Sequence, residues 1–218
     1  MPRTPFFPTF DELPDTLPIF PLEGAVVMPA SDLPLNIFEP RYLNMVEDAL
    51  RAHRMFGMIQ PDPDRDGRPQ PVYVTGCAGR ITSFSETPDG RIELVLTGVS
   101  RFDVAEEFTT TRGYRLVKPD WQRFAPDLAG PSGVAVRDSA DFLEVLHRYF
   151  DANNLQTDWD RLQRLPATRM ADVLTTLLPL EPSAKQLLLE TLDPSDRADA
   201  LLATLEHLAG GDEHPRHH

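Results

Sequence analysis

Residues 17–42, LPIFPLEGAVVMPASDLPLNIFEPRY, limit what this chain can fold into more than any other part of the sequence. They contain three short apolar runs, residues 17–20, 25–28 and 35–38, and each run is followed within two residues by a proline. Runs of this length that include β-branched and aromatic residues are too short for helices and are typical of strands. Prolines this close to strands favour sheet edges, bends and bulges. The segment therefore predicts short strands in a curved sheet.

The hydrophobic period changes directly after these runs. Pro40 suits the first turn of a helix, where the missing N–H of proline would have no partner in any case. Apolar residues then recur at helical spacing, namely Tyr42, Leu43, Val46, Ala49 and Leu50. This pattern predicts a helix from residue 40 to about residue 53, with one face in the core.

Further strands are predicted between residues 55 and 120. Residues 55–60 have the pattern of a buried strand, residues 72–84 form a longer strand that contains Cys77, and Asp89-Gly90 is typical of a hairpin turn. Gly98 is expected to end the strand that follows this turn. Some six strands close into a small barrel more readily than they form a stable open sheet. We expect Cys77 to be a small buried hydrophobe in its strand.

The sequence also predicts where the chain divides. Prolines and glycines crowd residues 119–133, and the sequence beyond them contains several leucine-rich stretches at helical spacing. Asp158 and Ser195 are expected to cap two of these helices, which would pack as a bundle. The predicted organisation is a β-barrel-like part at 1–120, with an irregular lead-in at 1–16, a linker at 121–133, a helical bundle at 134–209 and a disordered tail at 210–218.

The order of these motifs resembles a known family. LPIFPLEGAVVMP, then LPLNIFEPRY, then a helix, is similar to the N-terminal substrate-binding domain of the ATP-dependent Lon protease, and most similar to stand-alone bacterial proteins of that domain. The resemblance implies an α+β fold, with an N-terminal PUA-like antiparallel β-barrel carrying one or two helices and a C-terminal α-helical bundle. It also implies a module that binds unfolded or tagged polypeptides and works with a protease or chaperone.

Charge and composition exclude other classes of function. The net charge of −13 repels phosphate backbones, so no nucleic-acid partner is expected. No apolar run approaches the roughly 20 residues of a membrane span, and the first residues lack the apolar centre of a signal peptide. We therefore expect no membrane partner and a cytoplasmic location. One cysteine leaves neither a disulfide within the chain nor a cysteine-based zinc site.

A search for catalytic motifs favours a protein that is not an enzyme. The sequence has no P-loop, no HExxH metal helix and no GxSxG nucleophile elbow, so we predict no catalytic residue, no metal site and no cofactor. One alternative stays open at this point. A pocket of the barrel could serve a small-ligand-binding protein or an enzyme, with Glu39, Arg41, Tyr42 and Arg80 as its polar groups.

The predicted peptide-binding residues are Met28, Leu33 and Leu35. A peptide binder needs apolar side chains that are exposed yet held in place, and prolines on both sides of this stretch would hold it away from the sheet. Methionine suits a surface that accepts varied sequences, because its unbranched side chain adapts its shape. The competing interpretation is that these side chains belong to the core.

Overall fold

A computed structural model describes residues 8–129 and 139–210 of the chain. Within these residues it contains six strands and six α-helices, which confirms the predicted α+β class. The strands are β1 (Leu17–Pro21), β2 (Asp32–Ile37), β3 (Met55–Ile59), β4 (Thr75–Glu86), β5 (Ile92–Thr109) and β6 (Arg115–Asp120). The helices are α1 (Pro40–Arg51), α2 (Ser139–Ala152), α3 (Trp159–Leu162), α4 (Ala167–Leu177), α5 (Pro182–Glu190) and α6 (Pro194–Gly210). Two 3₁₀ segments, Phe10–Glu12 and Gln122–Ala129, flank the sheet in sequence.

The strands pair in a ring from β1 through β3, β4, β5 and β6 back to β1, and β2 pairs with the first half of β5. The pair β1–β3 is parallel and the other five pairs are antiparallel, so the sheet is mostly antiparallel, as predicted. Parallel neighbours need a long crossover. Here the crossover contains β2 and α1, and α1 begins at Pro40 as predicted.

Two strand predictions were wrong because the segment before β2 packs its backbone directly against Gly98. Residues 25–28 form no strand, although Met28 is fully buried, and Gly98 lies inside the continuous strand β5 instead of ending it. The two segments lie against each other: the N–H of Ala30 donates to the Gly98 carbonyl at 2.8 Å, and the N–H of Gly98 donates to the Ser31 carbonyl at 2.9 Å. A Cβ atom on Gly98 would stand 2.1 Å from the carbonyl oxygen of Met28. Glycine is therefore needed here for close approach between two backbones.

Among the described residues, buried side chains form three core clusters. Two of them belong to the sheet, one centred on residues such as Phe56, Met58 and Leu96 and packed against α1, the other around Phe102. Cys77 is fully buried in β4, as predicted. The third cluster joins α2, α4 and α6. Leu189 of α5 belongs to a sheet cluster, so helices and sheet share a core.

The segment predicted as a linker is packed wherever the structure describes it. Residues 122–129 form a 3₁₀ segment against β5, with Phe124 buried and Asp127 paired to Arg101. Residues 130–138 and 211–218 lie outside the described residues, as do Phe6 and Phe7 of the predicted lead-in. Phe10 packs against the cluster around Phe102.

One of the two predicted helix caps is confirmed and the other is corrected. The Asp158 side chain accepts the Arg161 N–H at 3.1 Å, as expected for a cap of α3. At α6 the cap is Asp193 and not Ser195, because the Asp193 carboxylate accepts the N–H groups of Ser195 at 2.7 Å and Asp196 at 3.2 Å. Pro194 then takes the first helical position, a common arrangement.

Buried polar groups join the sheet to the C-terminal helices. Arg101 of β5 is only 3% exposed, and its guanidinium donates to the carbonyls of Leu189 at 3.1 Å and Thr191 at 2.7 Å. Gln60, just after β3, donates to the Pro182 carbonyl at 2.9 Å. Such groups stabilise a unique arrangement only when their partners are present. The contacts therefore hold α5 in one position on the sheet.

A second cluster of charges lies on α4. The Asp172 carboxylate pairs with Arg197 at 2.8 Å and with Arg169 at 3.0 Å, and Arg169 also donates to the carbonyls of Pro29 and Ala30. Burial raises the pKa of Asp172 and outweighs the two guanidinium groups, which lower it. This cluster connects α6, through α4, to the segment before β2.

Lys185 of α5 is the basis of a stability prediction. Its ammonium is buried, its hydrogen bond to the Thr176 carbonyl is long at 3.4 Å, and burial lowers its pKa below the ordinary 10.5. The unfolded chain therefore binds more protons between the folded pKa and 10.5, and stability rises with pH across that window. We expect Lys185→Met to raise Tm by about 2–4 °C at neutral pH and to flatten this rise. Thermal unfolding from pH 7 to pH 10.5 tests this, and an unchanged pH profile would contradict it.

Candidate functional site

An open groove of about 450 Å³ lies where the start of α1, the loop between β3 and β4, and the turn between β5 and β6 meet. Its volume is within the range of ligand pockets. The lining includes three prolines, two tyrosines and two arginines, which combine apolar walls with few charged groups. The lining residues are Pro21, Arg41, Tyr42, Pro61, Pro69, Gln70, Thr109, Thr110, Gly113, Tyr114 and Arg115.

The first turn of α1 forms one wall of the groove. The Tyr42 ring packs on Phe20 of β1 with a centroid distance of 4.2 Å, and the Arg41 guanidinium lies 4.5 Å from the centre of the Tyr42 ring. Glu39 pairs with Arg41 at 2.8 Å, and both side chains are about half exposed. The tyrosine is thus held rigidly, whereas the exposed ion pair opens at little cost.

The turn between β5 and β6 forms the opposite wall and is bonded to α1. The Tyr114 hydroxyl donates to Asp48 at 2.8 Å, and Arg112 donates to Asp48 at 2.6 Å and to Asn44 at 2.9 Å. Gly113 at the turn has a φ of +89°, which side chains rarely adopt. Burial and the bond to Asp48 both raise the pKa of Tyr114, so its hydroxyl stays neutral. The groove is therefore preformed, because both walls belong to one hydrogen-bonded unit.

Two polar groups in the groove have unused hydrogen-bonding capacity. Arg115 is 13% exposed, and its bonds to the described residues all come from Nη1, which donates to the Gln70 carbonyl and to Glu107, each at 2.9 Å. Tyr42 is 6% exposed, and its hydroxyl has no hydrogen-bond partner among the described residues. Burial raises the pKa of Tyr42, as Glu39 also does, while the positive charges of Arg41 and Arg115 lower it. The hydroxyl is thus a neutral donor in a groove that Arg41 and Arg115 also line.

The three residues predicted to bind peptide lie elsewhere. Met28 is fully buried, Leu33 is 9% exposed, and Leu35 is partly buried against the same sheet cluster. The expectation that they are held away from the sheet was wrong, because β2 pairs with β5 along its whole length and its alternate residues turn into the core. Their role in binding stays a prediction, and their burial argues against it.

The alternative set of polar groups is partly brought together. Arg41 and Tyr42 line the groove and Glu39 pairs with Arg41, whereas Arg80 lies in β4 opposite Met55 and does not line it. Tyr114 and Arg115 were not predicted as site residues, although they line the groove. Both residues belong to the last predicted strand, but the residues around them do not indicate that this strand meets α1.

Exposed apolar residues also occur on the C-terminal helices and in the link between α5 and α6, where Leu177, Leu187 and Leu192 are each more than half exposed. These leucines are a second candidate surface for peptide binding, besides the groove. In the part of the chain that the structure describes, His, Cys, Asp and Glu side chains form no group of three that could hold a metal. No helix among the described residues has the length and apolar character needed to cross a bilayer.

The fold is that of Lon N-terminal domains. The chain superimposes on a Lon N-terminal domain protein from Xanthomonas campestris with a TM-score of 0.62 and 27% identity, over 86% of this chain and 97% of that one. The N-terminal domain of the Mycobacterium avium complex Lon protease has a TM-score of 0.64 at 16% identity and covers 91% of this chain. The second likeness shows the fold alone.

The sequence comparison identifies the family. The family described as the ATP-dependent protease La (LON) substrate-binding domain matches residues 16–207, and the chain belongs to it. The Lon protease of Roseiflexus castenholzii is 27% identical over 91% of this chain, and that of Dictyoglomus thermophilum is 35% identical over 47%. The chain matches only 25% and 13% of the length of these relatives. The match is thus to the substrate-binding part of much longer proteins.

Proposed function

We propose that this chain is a non-catalytic module that binds segments of unfolded or tagged polypeptides in the groove. The observation that carries the proposal is the groove itself, a preformed opening with rigid tyrosine and proline walls and few charged groups. Aromatic and proline walls accept varied apolar side chains at low entropic cost. Membership of a family described by substrate binding supports the same function.

The proposal includes an organisation and a working partner. The ring of paired strands acts as a small barrel, and α2 to α6 act as a bundle fixed to it by Arg101 and Gln60. The captured segment is passed to a protease or chaperone in the cytoplasm, without a cofactor of its own. This step rests on the relatives, which are Lon proteases.

A second candidate function is binding of a small anionic ligand in the same groove. Arg41 and Tyr42, two of the four polar groups that the sequence suggested for this role, line it. A small anion would need only the charged groups, whereas a polypeptide also needs the apolar walls. Binding of short peptides without binding of small organic anions supports the first function, and the reverse result supports the second.

Thr109→Trp is expected to weaken peptide binding by at least about tenfold, because the indole would occupy the groove. Thr109 is an exposed lining residue at the end of β5, where tryptophan is compatible with strand structure. The measurement is fluorescence anisotropy of short fluorescein-labelled peptides rich in leucine and phenylalanine. Peptides of serine and glycine serve as the negative control.

The matched control variant is Leu187→Ser, which removes an apolar side chain that is 60% exposed on α5 and does not line the groove. We expect its affinity to equal that of the original chain. If Leu187→Ser loses binding and Thr109→Trp keeps it, the binding surface is on the helices and the groove is the wrong site.

A further inference from the structure

Arg115 and Tyr42 have hydrogen-bond donors at the groove that no acceptor of the described residues uses. Of the nitrogens of the Arg115 guanidinium, Nη1 is used twice, and Nε and Nη2 bond to none of the described residues. Most of the Tyr42 side chain is buried, but its hydroxyl oxygen is accessible from the groove and lacks a partner within the same described part of the chain. Donors that line an open groove without a protein partner are bound to water, and a ligand with matching acceptors can replace that water.

We propose that Tyr42 and Arg115 form a carboxylate subsite, so that the groove selects polypeptide segments that carry an aspartate or glutamate side chain. This inference rests on the proposed function and names its substrate class. Guanidinium groups bind carboxylates through two parallel N–H donors, and Arg115 has two adjacent nitrogens free for this. A tyrosine hydroxyl adds a third donor.

The charges around the groove decide between a carboxylate and an uncharged acceptor. Glu39 and Glu107 each pair with one guanidinium of the groove, and Arg112 of the opposite wall pairs with Asp48 and Glu47. The first turn of α1, a helix of 12 residues, adds a partial positive charge at Arg41 and Tyr42. Hydrogen bonds from a guanidinium to a carboxylate are about twice as strong as those between neutral groups, so a negative group is favoured over a neutral carbonyl. The acidic partner is a side chain, because capture of internal segments rarely presents a chain terminus.

The test uses three short fluorescein-labelled peptides with the same leucine and phenylalanine residues. The first contains one glutamate and has blocked ends, the second has glutamine in its place, and the third is the glutamine peptide with a free C-terminal carboxylate. Glutamine keeps the shape and the carbonyl acceptor but not the charge. We expect the original chain to bind the glutamate peptide about tenfold more tightly than either glutamine peptide.

Tyr42→Phe removes only the hydroxyl. Since that hydroxyl has no partner among the described residues, Tm should not change, and the preference for glutamate should fall by about threefold or more. Affinity for the glutamine peptides should stay the same. Arg115→Lys keeps the charge beside Glu107 but loses the second donor pair, so it should also reduce the preference.

Each other outcome overturns part of the account. Equal binding of all three peptides, or a preference for glutamate that survives both substitutions, would overturn the carboxylate subsite and leave the proposed function in place. Tighter binding of the free C-terminus than of the glutamate side chain would overturn the choice of a side chain. Binding of none of the peptides would overturn the proposed function as well.

Discussion

Arg101→Met is expected to lower the free energy of unfolding by about 3–5 kcal/mol, which is the range for breaking a buried ion pair from one side. Arg101 pairs with Asp127 at 2.7 Å, and their side chains are only 3% and 8% exposed. Methionine replaces much of the apolar stem but removes the guanidinium that lies on the Phe124 ring, and it leaves the Asp127 carboxylate buried without its cation. The Leu189 carbonyl loses the donor from Arg101 as well, and the Thr191 carbonyl keeps only Arg197.

Urea unfolding monitored by tryptophan fluorescence measures this loss. The matched control is Arg91→Met, which breaks the exposed pair between Arg91 and Asp89 and should cost less than about 1 kcal/mol. A double variant of Arg101→Met with Asp127→Asn should recover part of the loss, because the buried negative charge is removed. A loss below about 1 kcal/mol for Arg101→Met would show that this network does not hold the helices on the sheet.

Gly98→Ala should be as damaging, with an expected loss of about 3 kcal/mol or more, because the added Cβ would overlap backbone atoms. It would stand 2.1 Å from the carbonyl oxygen of Met28 and 2.7 Å from the carbonyl carbon. Backbone cannot rotate away as a side chain can, so the segment before β2 would have to separate from β5. That separation would break the hydrogen bonds that Gly98 makes with Ala30 and Ser31.

Glu93→Ala in the same strand is the control, since Glu93 is exposed and its replacement should change stability by less than about 0.5 kcal/mol. Urea unfolding of both variants gives the comparison. If Gly98→Ala lies within about 1 kcal/mol of the original chain, the close approach between Met28 and β5 is not a feature of the folded protein.

The sequence predicts α1 well because its signals are local: Pro40 sets the start, and residues such as Val46 and Ala49 repeat with the helical period. The errors concern residues whose environment is set by distant segments. Met28 is buried because α4 and β5 cover it, and its N–H donates to Thr176, 148 residues away in the chain. Nothing in the residues around Met28 encodes that partner.

For the same reason, the sequence predicts only one of the two walls of the groove. Arg41 and Tyr42 belong to the motif at the start of α1, and their polarity was visible in the sequence as a possible ligand site. The opposite wall comes from Tyr114 and Arg115, more than 70 residues later, and the hydrogen bonds that Arg112 and Tyr114 donate to Asp48 bring the two walls together. Sequence periodicity carries no information on such a pairing.

The most direct test of the account is nuclear magnetic resonance of the ¹⁵N-labelled chain during titration with a leucine- and phenylalanine-rich peptide. We expect amide shifts to concentrate at the groove, in Arg41, Tyr42, Gln70, Tyr114 and Arg115, and Thr109→Trp to reduce them strongly at the same peptide concentration. Shifts that concentrate instead at the exposed leucines of α4 and α5, with the groove unchanged, would contradict the central claim that the groove captures polypeptide.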